Sequence, residues 1–174
     1  MTLIRLIQDE PVIETNNWVD LDDDAPLPDG TPVVVSLERW QTEREILDVH
    51  STPVGVRLRS DQRVDEIADD LPDLPLVALD FPNMNDGRHF TSARLLRERH
   101  GYRGEIRATG QVLRDQLFFM ARCGFDAFQL APDKDGKAAL RAFREISVVY
   151  QPAVDRRLPV QARRLQDSYA TAAE

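Results

Sequence analysis

Short runs of β-branched and aliphatic residues recur along this chain with centres 21 to 29 residues apart: PVVVSL (32–37), VGVRL (54–58), LVALDF (76–81), EIRATG (105–110) and AFQLA (127–131). No other feature constrains the fold so tightly. Each run has the length of a strand, and most are continuously apolar, the pattern of strands covered on both faces. The intervals carry helical patterns. Val64, Ile67, Ala68 and Leu71 form an i, i+3, i+4, i+7 stripe entered at Ser60 or Asp61. ARLLRERH follows a cap at Thr91-Ser92 and stops at Gly101, VLRDQLFFMARC stops at Gly124, and KAALRAFREI is entered through Pro132-Asp133. ERWQTEREIL, after the first run, is a weaker helix. Strand and helix in alternation predict an α/β fold. About five mostly parallel strands are joined by right-handed crossovers, as an open sheet or a partial βα barrel.

The chain of 174 residues suits one domain. Residues 31–150 hold the alternating pattern. Residues 1–30 form an acidic leader with one short strand at LIRLI (3–7), read as a solvated segment. Residues 151–174 form a tail that is either a helix or disordered. The net charge of −8 is uneven: the leader has eight acids against Arg5 alone, and the rest is nearly neutral. That balance argues against nucleic acid. No apolar run approaches the ~20 residues of a membrane span, and MTLIRLIQDEP lacks the form of a secretory signal, so a cytoplasmic location is expected. A single cysteine, Cys123, excludes a disulfide framework or a thiolate-held cluster within the chain. The histidines His50, His89 and His100 lack metal-ligand spacing, and no metal is expected. Neither a flavin nor a nicotinamide fingerprint is present.

In parallel α/β folds, ligands bind where strands end and helices begin. That edge would hold Glu38, Arg39 and Trp40; Arg59 and Ser60; Asp80; Arg107, Thr109 and Gly110; and Gln129. The stretch FPNMNDGRHFTS (81–92) leaves the same edge and is longer than the usual connection of about two to six residues. A helix entered at Thr91-Ser92 would present free N–H groups to an anion, with Arg88 just before it. The expected anion site is therefore Arg88, Thr91, Ser92, Arg107, Thr109 and Gly110. The alternative is internal pairing of Asp80 or Asp86 with Arg88 or Arg107. Asp80, Asp86, Gly87 and Gln116 would then order the loop, with Gln116 bonded to backbone of the 81–92 stretch.

On a helical wheel of 112–123, Val112, Leu113, Leu117, Phe119, Met120 and Cys123 share the buried face. Phe118 falls opposite, between Arg114 and Arg122, either as an interface for a second copy or partner or covered by the arginine stems. Cys123, near the helix C-terminus, reads as structural. His89 is a weak candidate acid or base without a partner, and Trp40 is a core or rim residue.

Residues 81–130 follow roughly three motifs: F-P-x-x-x-D-G-R-x-x-S-x-A-R-x-L-R, G-x-x-G-E-x-R-A-x-G-x-V-L-x-D-Q, and R-C-G-F-D. They resemble the bacterial family of unknown function DUF934. The matching positions are Asp86, Gly87, Arg88, Ser92, Arg94, Arg97, Glu105, Arg107, Gly110, Asp115, Gln116, Arg122, Cys123 and Asp126. Looser similarity reaches back through VVVSLERW and forward to about residue 155. The resemblance implies a role beside assimilatory sulfite reduction, as a probable oxidoreductase encoded near a sirohaem sulfite or nitrite reductase. It supplies no catalytic residue. A chain with one cysteine and no cofactor fingerprint is not itself expected to be the reductase. The leading expectation is an accessory protein that binds an oxyanion or an anionic partner group at the strand C-terminal edge. Its partner would be the sulfite or nitrite reductase, or another enzyme of sulfur assimilation. The alternatives are a small α/β enzyme acting on an anionic sulfur or phosphate compound and a non-catalytic homodimeric scaffold.

Overall fold

The computed structural model describes residues 1–155 and 157–171, with side chains of the last helix as far as Leu165. Eight strands form one sheet: β1 Thr2–Ile7, β2 Glu10–Glu14, β3 Val19–Asp20, β4 Val33–Ser36, β5 Val54–Arg59, β6 Leu76–Phe81, β7 Glu105–Gly110 and β8 Ala127–Leu130. Their spatial order is β2-β1-β8-β7-β6-β5-β4-β3. Pairs from β3 to β8 are parallel, and β1 is antiparallel to both β8 and β2. All five apolar runs are strands, but the acidic leader adds three more, where one was expected.

Glu14 and Val19 thus stand five residues apart in sequence, at opposite edges of the sheet. Laid flat, seven strand steps would span roughly 33 Å, whereas five extended residues reach at most about 18 Å. The sheet is therefore strongly curled into an open half-barrel, and residues 15–18 cross its hollow as a strap.

Six helices complete the described chain: α1 Leu37–Thr42, α2 Arg44–Asp48, α3 Arg88–Glu98, α4 Leu117–Cys123, α5 Gly136–Ala142 and α6 Val160–Thr171. The stripe at 64–71 is a short 3-10 turn, Val64–Ile67, rather than an α-helix. The tail is helical from Val160; positions 156 and 172–174 lie outside the described residues. No helix among the described residues is long and apolar enough to cross a membrane.

The main core lies between the helices and one sheet face. Ile4, Val33, Val35, Val56, Leu58, Val77, Leu79, Phe81, Ile106, Ala108 and Phe128 come from the strands. Trp40, Ile67, Leu96, Leu117, Met120 and Phe143 come from helices and turns. The concave face carries only a small apolar cluster, Val34, Leu76 and Ala78, on which Trp18 of the strap packs. Arginines and carboxylates occupy much of the rest of that face, with Leu3 and Ala127 among them.

Candidate functional site

Strand register builds the site. Arg57 pairs with Ala78, Ala78 with Arg107, Arg107 with Ala127, and Ala127 with Arg5. Alternate residues of a strand share a face, so one rung across five neighbouring strands reads Arg57, Ala78, Arg107, Ala127, Arg5 on the concave side. Arginine and alanine alternate along it, so no two guanidinium-bearing strands are adjacent.

The three arginines are held by carboxylates. Arg57 Nη1 donates to Asp20 Oδ1 at 3.0 Å. Arg107 Nε donates to Glu105 Oε1 at 2.6 Å, and the other oxygen of Glu105 lies 2.5 Å from Arg5 Nη2. Arg5 Nε stands 3.2 Å from Glu14. Arg107 is 1% exposed. Its Nη1 donates to Asn16 Oδ1 at 3.0 Å, and its guanidinium carbon lies 5.9 Å from the Trp18 ring centroid. Its Nη2 is buried and has no hydrogen-bond partner among the described residues. An unsatisfied buried donor costs about 1–3 kcal/mol, more when charged. Above the rung, toward the strand C-termini, Thr109 Oγ1 donates to Asp80 at 3.1 Å and Gln129 contacts Met1.

The residues expected to form one anion site do not converge. Arg107 and Thr109 face the hollow. Arg88 is exposed on the helix-bearing side: its Nε and Nη2 donate to Asp86 at 2.9 and 2.6 Å, and Nη2 also to Ser60. With Ser60, Arg63, Asp65, Ser92 and Arg99 it lines a separate cleft of about 290 Å³. Thr91 and Ser92 are not caps. Helix α3 already begins at Arg88, with Gly87 as its N-cap, and Asp86 Oδ1 accepts the Arg88 backbone N–H at 3.2 Å in the turn that leads into it. The connection shrinks to residues 82–87, of ordinary length. Bonds from Arg88 and from Ser60 hold the Asp86 carboxyl well below the usual carboxylate range. Gly110 makes the close approach expected of it, but to protein: with φ +79° it presses on Phe81, whose carbonyl oxygen would lie 2.4 Å from an added Cβ. Gln116 Nε2 donates to Met84 O at 3.1 Å, tying α4 to the 81–92 stretch as expected.

Phe118 is buried, not exposed; Phe119 is the exposed ring of the pair. The wheel over 112–123 assumed 100° per residue throughout. The actual path is extended at Leu113 and a 3-10 turn at Arg114–Gln116, and α4 begins only at Leu117. The phase shifts, and the rings exchange places. The Arg122 and Arg157 guanidinium groups cover Phe118 at 5.9 and 5.2 Å. Arg122 also donates to Asp155 at 3.0 Å, and Arg114 to Glu145 and the Ala138 carbonyl.

The other chemical candidates are engaged. His89 is fully buried: its Nε2 lies 3.1 Å from the Leu58 carbonyl, which can only accept, so Nε2 carries the proton and Nδ1 faces the Ser92 hydroxyl at 3.3 Å. Burial pushes its pKa below the ordinary value, and burial pushes the half-buried Cys123 thiol up. Trp40 is a core residue whose indole donates to Asp70 at 2.8 Å. Arg39 is buried, with Nη1 on the Asp22 carbonyl at 2.7 Å. Arg59 at the edge pairs with Glu38 and Asp61. Arg5 and Arg57 were missed because only register joins positions so distant in sequence; the arginine within each strand run was the available signal.

The sequence matches the family described as Bacterial protein of unknown function (DUF934) across residues 55–161, well over half of the chain. The chain belongs to this family. The DUF934 region runs from β5 into the start of α6 and includes Arg57 and Arg107 of the rung; Arg5 and the strap precede it. A comparison with curated proteins finds no match.

Proposed function

We propose that this protein is an accessory protein of assimilatory sulfite reduction that binds an oxyanion, or an anionic group on a partner, on the concave face of its half-barrel. The single observation that supports the location is Arg107: a buried guanidinium in a rung of arginines, with Nη2 lacking an acceptor. A guanidinium offers two parallel donors to carboxylate, sulfur or phosphate oxyanions. Ala78 and Ala127 on the flanking strands are the smallest side chains a rung can carry short of glycine. The pathway rests on the resemblance to DUF934 proteins alone. Binding is favoured over catalysis because His89 is held neutral by burial with both ring nitrogens engaged, and the Cys123 thiol is shifted away from the thiolate.

Calorimetric titration with sulfite, and separately with sulfate, tests the site. Saturable binding is expected in the wild type and its loss in Arg107→Met, with Arg88→Met unaffected. Equal affinities in wild type and Arg107→Met would refute the location. For the pathway, the tagged protein should capture a sulfite-pathway enzyme from extract, and failure against a reductase-deleted control would count against the accessory role.

A further inference from the structure

The strap and the strand residues that flank it, Glu14 of β2 and Asp20 of β3, contact the rung through alternate positions. Glu14 stands 3.2 Å from Arg5, Asn16 accepts from Arg107 at 3.0 Å, Trp18 lies 5.9 Å from the same guanidinium, and Asp20 accepts from Arg57 at 3.0 Å. Residues i, i+2, i+4 and i+6 of an extended chain point to one side. Side chains at these alternate positions therefore meet the rung from end to end.

Side chains also do most of the holding. Among the described residues, no backbone-to-backbone hydrogen bond involves positions 15–18, and the Trp18 N–H turns back to Asn16 Oδ1 at 3.1 Å. The match is incomplete at its centre. The outer arginines face carboxylates of the strand residues that flank the strap, Glu14 of β2 and Asp20 of β3, although Arg5 Nε makes no hydrogen bond; Arg107 faces one neutral amide oxygen and keeps an unpartnered Nη2. Glu105 occupies the Nε side of Arg107 and reaches Arg5, so it anchors the arginines from below and leaves the Nη atoms of Arg107 to the occupant of the hollow.

We propose that the hollow is a groove for an extended acidic peptide of a partner protein, and that residues 14–20, the strap with the strand residues that flank it, are its built-in stand-in. This rests on the concave face being the anion-recognising site, and it names the anionic group as peptide carboxylates at alternate positions. A carboxylate in the place of the Asn16 amide would take both Nη1 and Nη2 of Arg107. The residue in the place of Trp18 would be apolar, against Val34, Leu76 and Ala78. The partner segment displaces the strap, so the strap sets a threshold for binding.

The test uses a fluorescein-labelled heptapeptide, Glu-Thr-Asp-Asn-Trp-Val-Asp, which is the sequence of residues 14–20 with aspartate at its third position. Fluorescence anisotropy follows its binding to the full-length protein. Asn16→Ala, which weakens the resident strap, should bind it at least tenfold more tightly than wild type. The peptide with asparagine restored at the third position should bind at least tenfold more weakly, and Arg107→Met should abolish binding. Independently, Asn16→Asp should raise the Tm and weaken peptide binding. No binding to a folded Asn16→Ala protein overturns the proposal, as does a lowered Tm in Asn16→Asp, which would mean that Glu105 already neutralises the site. If Asn16→Ala does not fold, the Tm of Asn16→Asp decides. Sulfite binding without peptide binding leaves the small-oxyanion reading standing and removes this one; peptide binding without sulfite binding does the reverse.

Discussion

The two sides of the curled sheet bury polar groups on opposite terms. On the helix-bearing side, Arg97 of α3 is mostly buried, and all three of its nitrogens are occupied: Nε by the Gly124 carbonyl at 3.0 Å, Nη1 by the Tyr102 and Gly104 carbonyls at 2.7 and 2.9 Å, Nη2 by Asp126. On the concave side, Arg107 is more deeply buried and has only two nitrogens occupied. A guanidinium whose donors all find protein acceptors is a brace: it joins α3, the 102–104 turn and the start of β8, and no ligand improves its situation. A guanidinium left short of an acceptor is where a ligand gains most. Number of buried contacts alone would rank the two the other way.

The largest expected effect breaks the brace. Arg97→Met leaves three carbonyls and the Asp126 carboxylate without their cation, and should cost about 3 kcal/mol of stability while leaving sulfite and peptide affinity unchanged in the folded fraction. Urea denaturation measures the first and anisotropy the second; a loss of binding in stable protein would erase the distinction between the sides. Next comes Phe118→Ala, at about 3 kcal/mol for a buried ring, against Phe119→Ala, expected within about 0.5 kcal/mol. The reverse order of costs would mean that the 100° wheel had the phase right. Arg107→Met sharpens the comparison from the other side. It should cost less than Arg97→Met, because Arg5 remains on Glu105, yet abolish anion binding.

How much of this was legible in sequence divides along the same line. The helix-bearing side follows from period and apolar runs, and all five runs are strands of the curled sheet. The Gln116 bond to the 81–92 stretch was expected from a wheel with the wrong phase: Gln116 lies half-buried in the 3-10 turn before α4, its Nε2 on Met84 O and its Oε1 without a partner among the described residues. The leader was not legible. Its β1–β2 hairpin turns on Gln8 and Asp9, both with positive φ, where the usual signals are Asn-Gly or Asp-Gly. Its acids read as solvated, although Asp20 and Asp23 bond Arg57 and Ser36. The rung was hidden for a different reason. Arg5, Arg57 and Arg107 each lie within a strand-like run far apart in sequence, and only pairing across β1, β8, β7, β6 and β5 aligns them. Arg88 misled because proximity in sequence to a βα connection does not decide which side of the sheet a side chain takes.

The smallest expected effect separates the sides by pH. His89 is buried on the helix-bearing side, and burial lowers its pKa in the folded protein. The unfolded chain, with an ordinary imidazole near 6.5, therefore binds the proton first. Stability is fully present above about pH 6.5 and is lost as pH falls toward the folded value. The lowered carboxyls Glu38, Asp65, Asp86 and Asp133 act in the same direction, but only below the ordinary carboxylate range near 4, and Asp126, raised by burial, acts in the opposite direction, so the loss of stability between pH 6.5 and 5 is assigned to His89. His89→Gln keeps a donor for the Leu58 carbonyl and removes the titration. It should flatten the dependence of Tm on pH across that interval, at some cost in Tm at pH 8. A slope that survives the substitution would show that another group titrates there and that His89 is not the neutral pin between α3 and β5 that its two contacts describe.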